Sequence, residues 1–299
     1  MNPHYQIMYF FSNIHSPILD TIAQFLTILG EEYVIIAVAM IFFWCIDKKK
    51  GFASFFSMLV ALNLMNIVKV IVKFPRPWTV LKDLHVVRKE TATGYSFPSG
   101  HATMSSSFYG SLAMMFKAKH VRIICISLVV IISLLRVYLC VHWPIDVIFG
   151  IGLGLTCAFI FSRFAIAFQN NIKKKAKQME IFAALLLVAG LVIAILCDMN
   201  EIDAAMNQDL YVGLAITGSC LLFSTIEQTT IAFKIDGTAL QKVVRYIVGM
   251  AGILALLVGL KKVLPDGGIY RFMRYAVTGM WAVWLYPLIG KKIGLFKAK

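Results

Sequence analysis

Residues 119–162 read KHVRIICISLVVIISLLRVYLCVHWPIDVIFGIGLGLTCAFIFS. Two apolar runs, 121–139 and 143–162, flank a short turn that carries Arg136, His142 and Asp146. A helix needs about 17–25 largely apolar residues to cross the hydrocarbon core of a bilayer. Each run meets that length, so this stretch reads as two membrane spans joined by a polar turn at one membrane face. The rest of the chain repeats the pattern. Further runs fall at 31–47, 52–72, 100–116, 179–197, 210–227, 244–261 and 271–289, which gives about nine spans. Residues 5–29 mix apolar and polar positions and fit an interfacial helix better than a span.

Composition agrees. Hydrophobic residues make up 60% of the 299 and charged residues 15%, with a mean hydropathy of +0.79. Soluble domains are about 45–50% apolar. The expected fold is all-α, a polytopic transmembrane helical bundle, because backbone polar groups inside lipid must be satisfied within each helix. Three regions are expected: an interfacial segment 1–30, a transmembrane functional domain 31–197, and additional transmembrane helices 198–299.

The net charge of +14 does not point to nucleic acid. The basic residues stand in short clusters flanking apolar runs: Lys48–Lys50, Lys117–Arg122, Lys173–Lys177 and Lys291–Lys299. Topogenic charge explains that placement. With these loops cytoplasmic, the N-terminus lies outside and the C-terminus inside. None of the six cysteines forms a Cys-x-x-Cys pair, and Cys45, Cys125, Cys157 and Cys220 fall inside apolar runs. They read as small buried hydrophobes rather than a disulfide framework or a thiolate metal site. The first 47 residues hold no Lys or Arg, so the basic n-region of a cleavable signal is absent.

Two outer segments break the charge rule. Residues 73–99 carry Lys73, Arg76, Lys82, Arg88 and Lys89, and the turn after the run 121–139 begins at Arg136. Cations on the wrong side call for a polyanion. Three short segments converge on that face: Lys69-x6-Arg76-Pro77, Pro98-Ser99-Gly100-His101, and Arg136-x5-His142-x3-Asp146. Ionisable side chains at the membrane are costly and mark function. Arg76 and Arg136 can grip phosphate oxygens in pairs, with Lys69 as a point charge. Pro98-Ser99-Gly100-His101 reads as a helix start: a hydroxyl donor, a glycine for close backbone approach, and free N–H groups that bind anions. His142 and Asp146, four apart, would share one helix face. Asp146 would hold one imidazole nitrogen and leave the other to attack phosphorus.

These ten positions, in this order, resemble the signature of the type 2 phosphatidic acid phosphatases and their vanadium haloperoxidase relatives. The resemblance covers residues 31–165 and implies a six-helix phosphatase-type core. It implies that Lys69, Arg76, Ser99, Gly100 and Arg136 bind phosphate, that His101 is the general acid, that His142 is the nucleophile, and that Asp146 orients it. It also implies metal-free, vanadate-sensitive catalysis through a phosphohistidine with no cofactor. One position departs: the family often has Ser before the third-motif Arg, and Leu135 stands here. Residues from about 200 onward carry no resemblance.

The expected activity is hydrolysis of a lipid phosphate monoester on the extracytoplasmic face of a bacterial plasma membrane. The expected partners are that lipid and the bilayer, with no nucleic acid. A polyprenyl diphosphate such as undecaprenyl diphosphate is the alternative substrate. A small sugar phosphate and phosphoryl transfer to another acceptor are less favoured. A catalytically silent lipid-binding or transport protein is the alternative of another class, and its weakness is the intact His101, His142 and Asp146. Other residues keep plain readings. His4, His15, His85 and His120 are taken as solvated or interfacial. Trp78 and Trp143 are taken as interfacial anchors, and Lys73, Lys82, Arg88 and Lys89 as loop charges or head-group guides in equal measure. Asp198, Glu201, Asp203 and Asp209 form a wet loop without calcium-loop spacing.

Overall fold

The computed structural model describes residues 3–92 and 94–297. Lys299, counted above in the basic tail, lies outside them. Helices run in the order α1 (Pro3–Asn13), α2 (Pro17–Thr27), α3 (Glu32–Ile41), α4 (Lys48–Val72), α5 (Pro77–Val80), α6 (Gly100–Met115) and α7 (Lys119–Tyr138). They continue as α8 (Pro144–Asn170), α9 (Ile172–Asp198), α10 (Ala204–Thr230), α11 (Ala239–Leu254), α12 (Leu260–Val263), α13 (Gly268–Met280) and α14 (Tyr286–Lys292). No strand occurs among the described residues beyond one isolated bridge, Lys234 to Lys297.

Every expected span has its helix. By length and apolarity six of the helices can cross a membrane, or seven if the pair Pro17–Gly30 and Glu32–Ile46, bent by 53°, is one span. The sequence count of nine is higher for physical reasons. Helix α6 has only 16 residues, and the run 271–289, whose first helix carries Arg271 and Arg274, is not among the helices apolar enough to cross. Within the segment read as interfacial, two short helices form. Ser16 caps α2 by accepting from Leu19 N–H, and Pro17 takes the first position.

The chain divides into two compact units, residues 1–36 with 60–162 and residues 37–59 with 163–299. In the first unit, α7 shows how the sequence sorts its faces. Cys125, Val129, Ile132 and Arg136 are buried, while Ile123, Ile126, Val130 and Leu134 are exposed. Both sets recur at helical spacing, so one face packs inward and an equally apolar face meets lipid. Between lipid-embedded helices there is no hydrophobic driving force, so close packing of small residues takes its place. Helix α6 buries Ser105, Ser106, Ser107, Gly110 and Ser111. A Cβ at Gly154 of α8 would lie 2.4 Å from the Thr103 carbonyl oxygen and 2.8 Å from Ser106 Cβ. Only glycine permits that approach, and it sets α8 directly against the start of α6.

In the second unit, Trp44 is fully buried, donates to Ala282 O at 3.0 Å and meets the Tyr286 ring edge-on. Lys48 Nζ pairs with Glu227 Oε2 at 2.6 Å and sits over the Phe233 ring. The acidic residues Asp198, Glu201, Asp203 and Asp209 are exposed, as expected of a wet loop. Asp198 accepts from the N–H groups of Gly268 and Ile269 at the start of α13, and Asp203 caps α10.

Candidate active site

The third motif builds the centre. Helix α7 ends where Cys140 takes a left-handed φ of 55°, and α8 begins at Pro144, whose missing N–H is not needed in a first turn. His142 therefore stands in the turn before α8 rather than on it. The expectation that His142 and Asp146 share a helix face is corrected accordingly. Asp146 is the third residue of α8, and its carboxylate reaches back to Trp143 N–H at 2.9 Å, the reciprocal half of a capping box. The same oxygen, Oδ2, lies 3.3 Å from His142 Nδ1 and accepts from Ser96 Oγ. Its other oxygen, Oδ1, has no partner within the protein. The helix cap thus also positions the imidazole.

The first motif meets the other nitrogen. Arg76 Nη1 is 3.2 Å from His142 Nε2 and also donates to Val141 O at 3.0 Å, while its Nε donates to Gly94 O. A guanidinium only donates, and an ionised carboxylate only accepts. The two contacts therefore fix the tautomer, with the proton on Nδ1 facing Asp146 and the lone pair on Nε2 facing Arg76. Burial first, and then the cations Arg76, Arg136 and Lys69, hold the His142 imidazole well below the ordinary histidine range.

The second motif closes the far side. Ser99 N–H donates to Asp146 O at 3.0 Å, which locks the start of α6 to α8. Ser99 stands at the N-cap of α6, yet its hydroxyl makes no capping bond. Ser99 Oγ, His101 Nε2 and Arg136 Nε are buried and have no hydrogen-bond partner within the protein. Such atoms are rare in native structures, and each requires an explanation. A Cβ at Gly100 would meet only Met65, at 3.8 Å. The fold itself has room for a side chain there, so no packing reason demands glycine. Lys69 lies half-buried in the last turn of α4.

Five residues at or near the site escaped sequence reasoning or were read differently. Thr27 of α2 accepts from Arg136 Nη1 at 3.1 Å. A hydroxyl from another helix thus stands on Arg136, whose neighbour Leu135 has none to offer. Ser96, on Asp146, was visible only as a polar residue two positions before Pro98. Trp143 is not an interfacial anchor: it is buried and its Nε1 donates to Pro75 O at 2.9 Å. Arg88 is neither a free loop charge nor a head-group guide, since it pairs with Glu31 at 2.5 Å and donates to Gln24 O. Trp78 lies under Arg76, 5.4 Å from ring centroid to guanidinium carbon.

Comparison with known proteins follows this geometry. The PAP2 superfamily profile matches residues 50–172. The profile for the transmembrane extension of PAP2 superfamily phosphatases matches residues 210–299, so the C-terminal region has a relationship that its sequence did not disclose on reading. The undecaprenyl-diphosphatase of Sulfolobus acidocaldarius is 33% identical over 144 residues, 48% of this chain and 68% of that protein. Undecaprenyl-diphosphatase BcrC of Bacillus subtilis is 26% identical over 157 residues, 50% of this chain and 77% of that protein. The crystal structure of Aquifex aeolicus LpxE covers 53% of this chain and 94% of its own, at 25% identity and a TM-score of 0.48. The two family-profile matches and the Sulfolobus relative, together with apolar helices long enough to span a bilayer, show that the chain is an integral membrane protein belonging to the PAP2 superfamily of phosphatases.

Proposed function

We propose that the chain hydrolyses a lipid phosphate through a phosphohistidine at His142. The observation that carries this reading is the set of buried, partnerless donors at Ser99 Oγ, His101 Nε2 and Arg136 Nε, beside a histidine whose lone pair faces a guanidinium. A phosphate group would satisfy all of them. Its oxygens would take Arg76, Arg136, Lys69, Ser99 Oγ and the N–H groups opening α6 at Gly100. Drawn onto those oxygens, Arg76 would uncover Nε2 of His142, which attacks phosphorus. The N–P bond forms as the bond to the lipid oxygen breaks, and His101 gives that oxygen its proton. Asp146 keeps the Nδ1 proton in place and stabilises the charged ring. Water, deprotonated by His101, then attacks phosphorus. The N–P bond breaks and inorganic phosphate leaves. No step requires a metal.

Two curated relatives bear the name undecaprenyl-diphosphatase, which favours a polyprenyl diphosphate as the second reading. The same cations serve a diphosphate, and the product would then be the monophosphate. The basic clusters favour an orientation with the site on the extracytoplasmic face of a bacterial plasma membrane and the C-terminus inside. Residues 198–299 would add helices to the phosphatase domain at 31–197, either shaping lipid entry or supporting the fold.

The test is phosphate release by detergent-purified protein, with chelator, from phosphatidate, phosphatidylglycerol phosphate, sphingosine phosphate, undecaprenyl diphosphate and glucose phosphate. Chelator-resistant release that vanadate inhibits and His142→Ala abolishes is the expected result. Full activity in His142→Ala would end the mechanism, and product mass separates monoester from diphosphate cleavage.

A further inference from the structure

Away from His142, the first unit brings together three side chains that the sequence scatters. His15 lies in the turn between α1 and α2, Asp20 in the first turn of α2, and His85 in the loop after α5. His15 Nδ1 is 2.6 Å from Asp20 Oδ1, and His85 Nε2 is 3.4 Å from Asp20 Oδ2. The two imidazoles stand 4.5 Å apart, centroid to centroid. One potential ligand atom from each residue lies within 4.8 Å of the other two. Among the described residues no other trio of His, Cys, Asp or Glu meets that condition. We propose that His15, Asp20 and His85 form a binding site for a divalent transition metal of the zinc class, separate from the reaction centre.

The donor set argues for that class. Two imidazoles and a carboxylate suit zinc, whereas calcium and magnesium take oxygen ligands. Metal–ligand bonds of about 2.0 Å in a tetrahedron put ligand atoms about 3.3 Å apart. Asp20 and His85 already stand at 3.4 Å. The His15–Asp20 hydrogen bond of 2.6 Å would give way as the metal enters, the ring proton of His15 moving to Nε2. That nitrogen faces Cys140 Sγ at 4.0 Å. Asp20 also has the outer partner that ligating carboxylates require, since Tyr138 donates its hydroxyl to Oδ1 at 2.6 Å. The His15 ring stacks on Tyr138, and His85 N–H is held by Ser12 Oγ at 2.8 Å. The site is open on one side: the His85 side chain is 58% exposed and that of His15 6%. Metal can therefore enter from water, and water can complete its coordination.

The position gives such an ion a structural task. It would tie the α1–α2 turn and the loop after α5 to Tyr138, at the end of α7 and just ahead of the turn that presents His142. It would hold elements together without touching the phosphate chemistry.

Untagged full-length protein in detergent, stripped with chelator, would be titrated with zinc and its metal content counted after desalting. One retained equivalent is expected, together with a rise in thermal midpoint on zinc addition. His85→Ala should weaken uptake by at least about tenfold, the order by which even outer-sphere losses act. His15→Ala should do the same, and His120→Ala should change nothing. Because His85 is mostly exposed, the metal-free melting of His85→Ala should match that of the metal-free parent, which excludes misfolding as the cause. Cobalt substitution reads the geometry, with visible bands of a four-coordinate site expected. Absence of saturable uptake by the parent, or uptake that survives His85→Ala, overturns the proposal. Phosphate release by the stripped protein is a separate readout, expected to persist, so the two readings fail independently.

Discussion

Two buried arginines divide the molecule by purpose. Arg136 in the first unit and Arg245 in the second are each 1% exposed. Arg245 gives all five of its N–H donors to backbone carbonyls: Nε and Nη2 to Leu295 O, Nη1 to Trp44 O and Ile235 O, and Nη2 also to Asp236 O. Arg136 meets Thr27 and leaves its Nε with no partner in the protein. The same guanidinium, buried to the same degree, is satisfied in one place and left wanting in the other. A buried donor without a partner costs about 1–3 kcal/mol, a cost that packing alone does not explain. Under the proposed function, the contrast separates a side chain that ties the chain together from one kept for the phosphate.

The largest expected effect tests the centre to which Arg136 belongs. His142→Ala should lower turnover by roughly a millionfold, as removal of a nucleophile does in other enzymes, and phosphate release should become undetectable while the thermal midpoint is kept. Next come the two arginines themselves. Arg136→Ala should reduce kcat/KM by about 10²–10³ with stability kept or improved. Arg245→Ala should leave the kinetics of the folded fraction alone and lose roughly 3 kcal/mol or more, because four residues' carbonyls are stripped of a donor. If thermal melting and kinetics assigned these effects the other way round, the division between the two arginines would be wrong.

A smaller effect is expected at Ser96, which acts on phosphorus only through Asp146. Ser96→Ala should lower kcat by about tenfold, the worth of one hydrogen bond to a charged group, with KM unchanged. The smallest effect is on pH. His142 must be unprotonated to attack, and its proton affinity is depressed by burial and then by Arg76. The acid limb of kcat/KM should therefore lie below the ordinary histidine range near 6.5. In Arg76→Gln one cation is gone, so protonation becomes easier and the limb should move up in pH. A limb unmoved between parent and variant on the same substrate would remove Arg76 from that role.

How much of this could be read beforehand follows from what sequence encodes locally. The spans were legible because lipid demands long apolar runs. The three motifs were legible because each is a short fixed string. His142 was placed on a helix because spacing alone does not show that Pro144 begins α8 two residues later. Ser96 and Thr27 were missed for a different reason: a hydroxyl carries no mark of its partner, and Thr27 is 109 residues from Arg136. His15 and His85 were read as solvated or interfacial, and Asp20 was not singled out, because the three come from separate elements. Arg245 drew no reading of its own, since its carbonyl partners are invisible in any list of side chains.

The contact between Arg76 and His142 has one more consequence. On the mechanism proposed above, His142 is a nucleophile latched by a guanidinium. An uncharged ester reaching the site has nothing with which to draw Arg76 aside, and it meets a lone pair already taken. Only an anion rich enough in oxygen to win the guanidinium lifts the latch, and that anion is the group to be attacked. On that mechanism reactivity is conditional on the charge of the substrate, and a histidine at the edge of a bilayer would be spared the stray electrophiles that pass it.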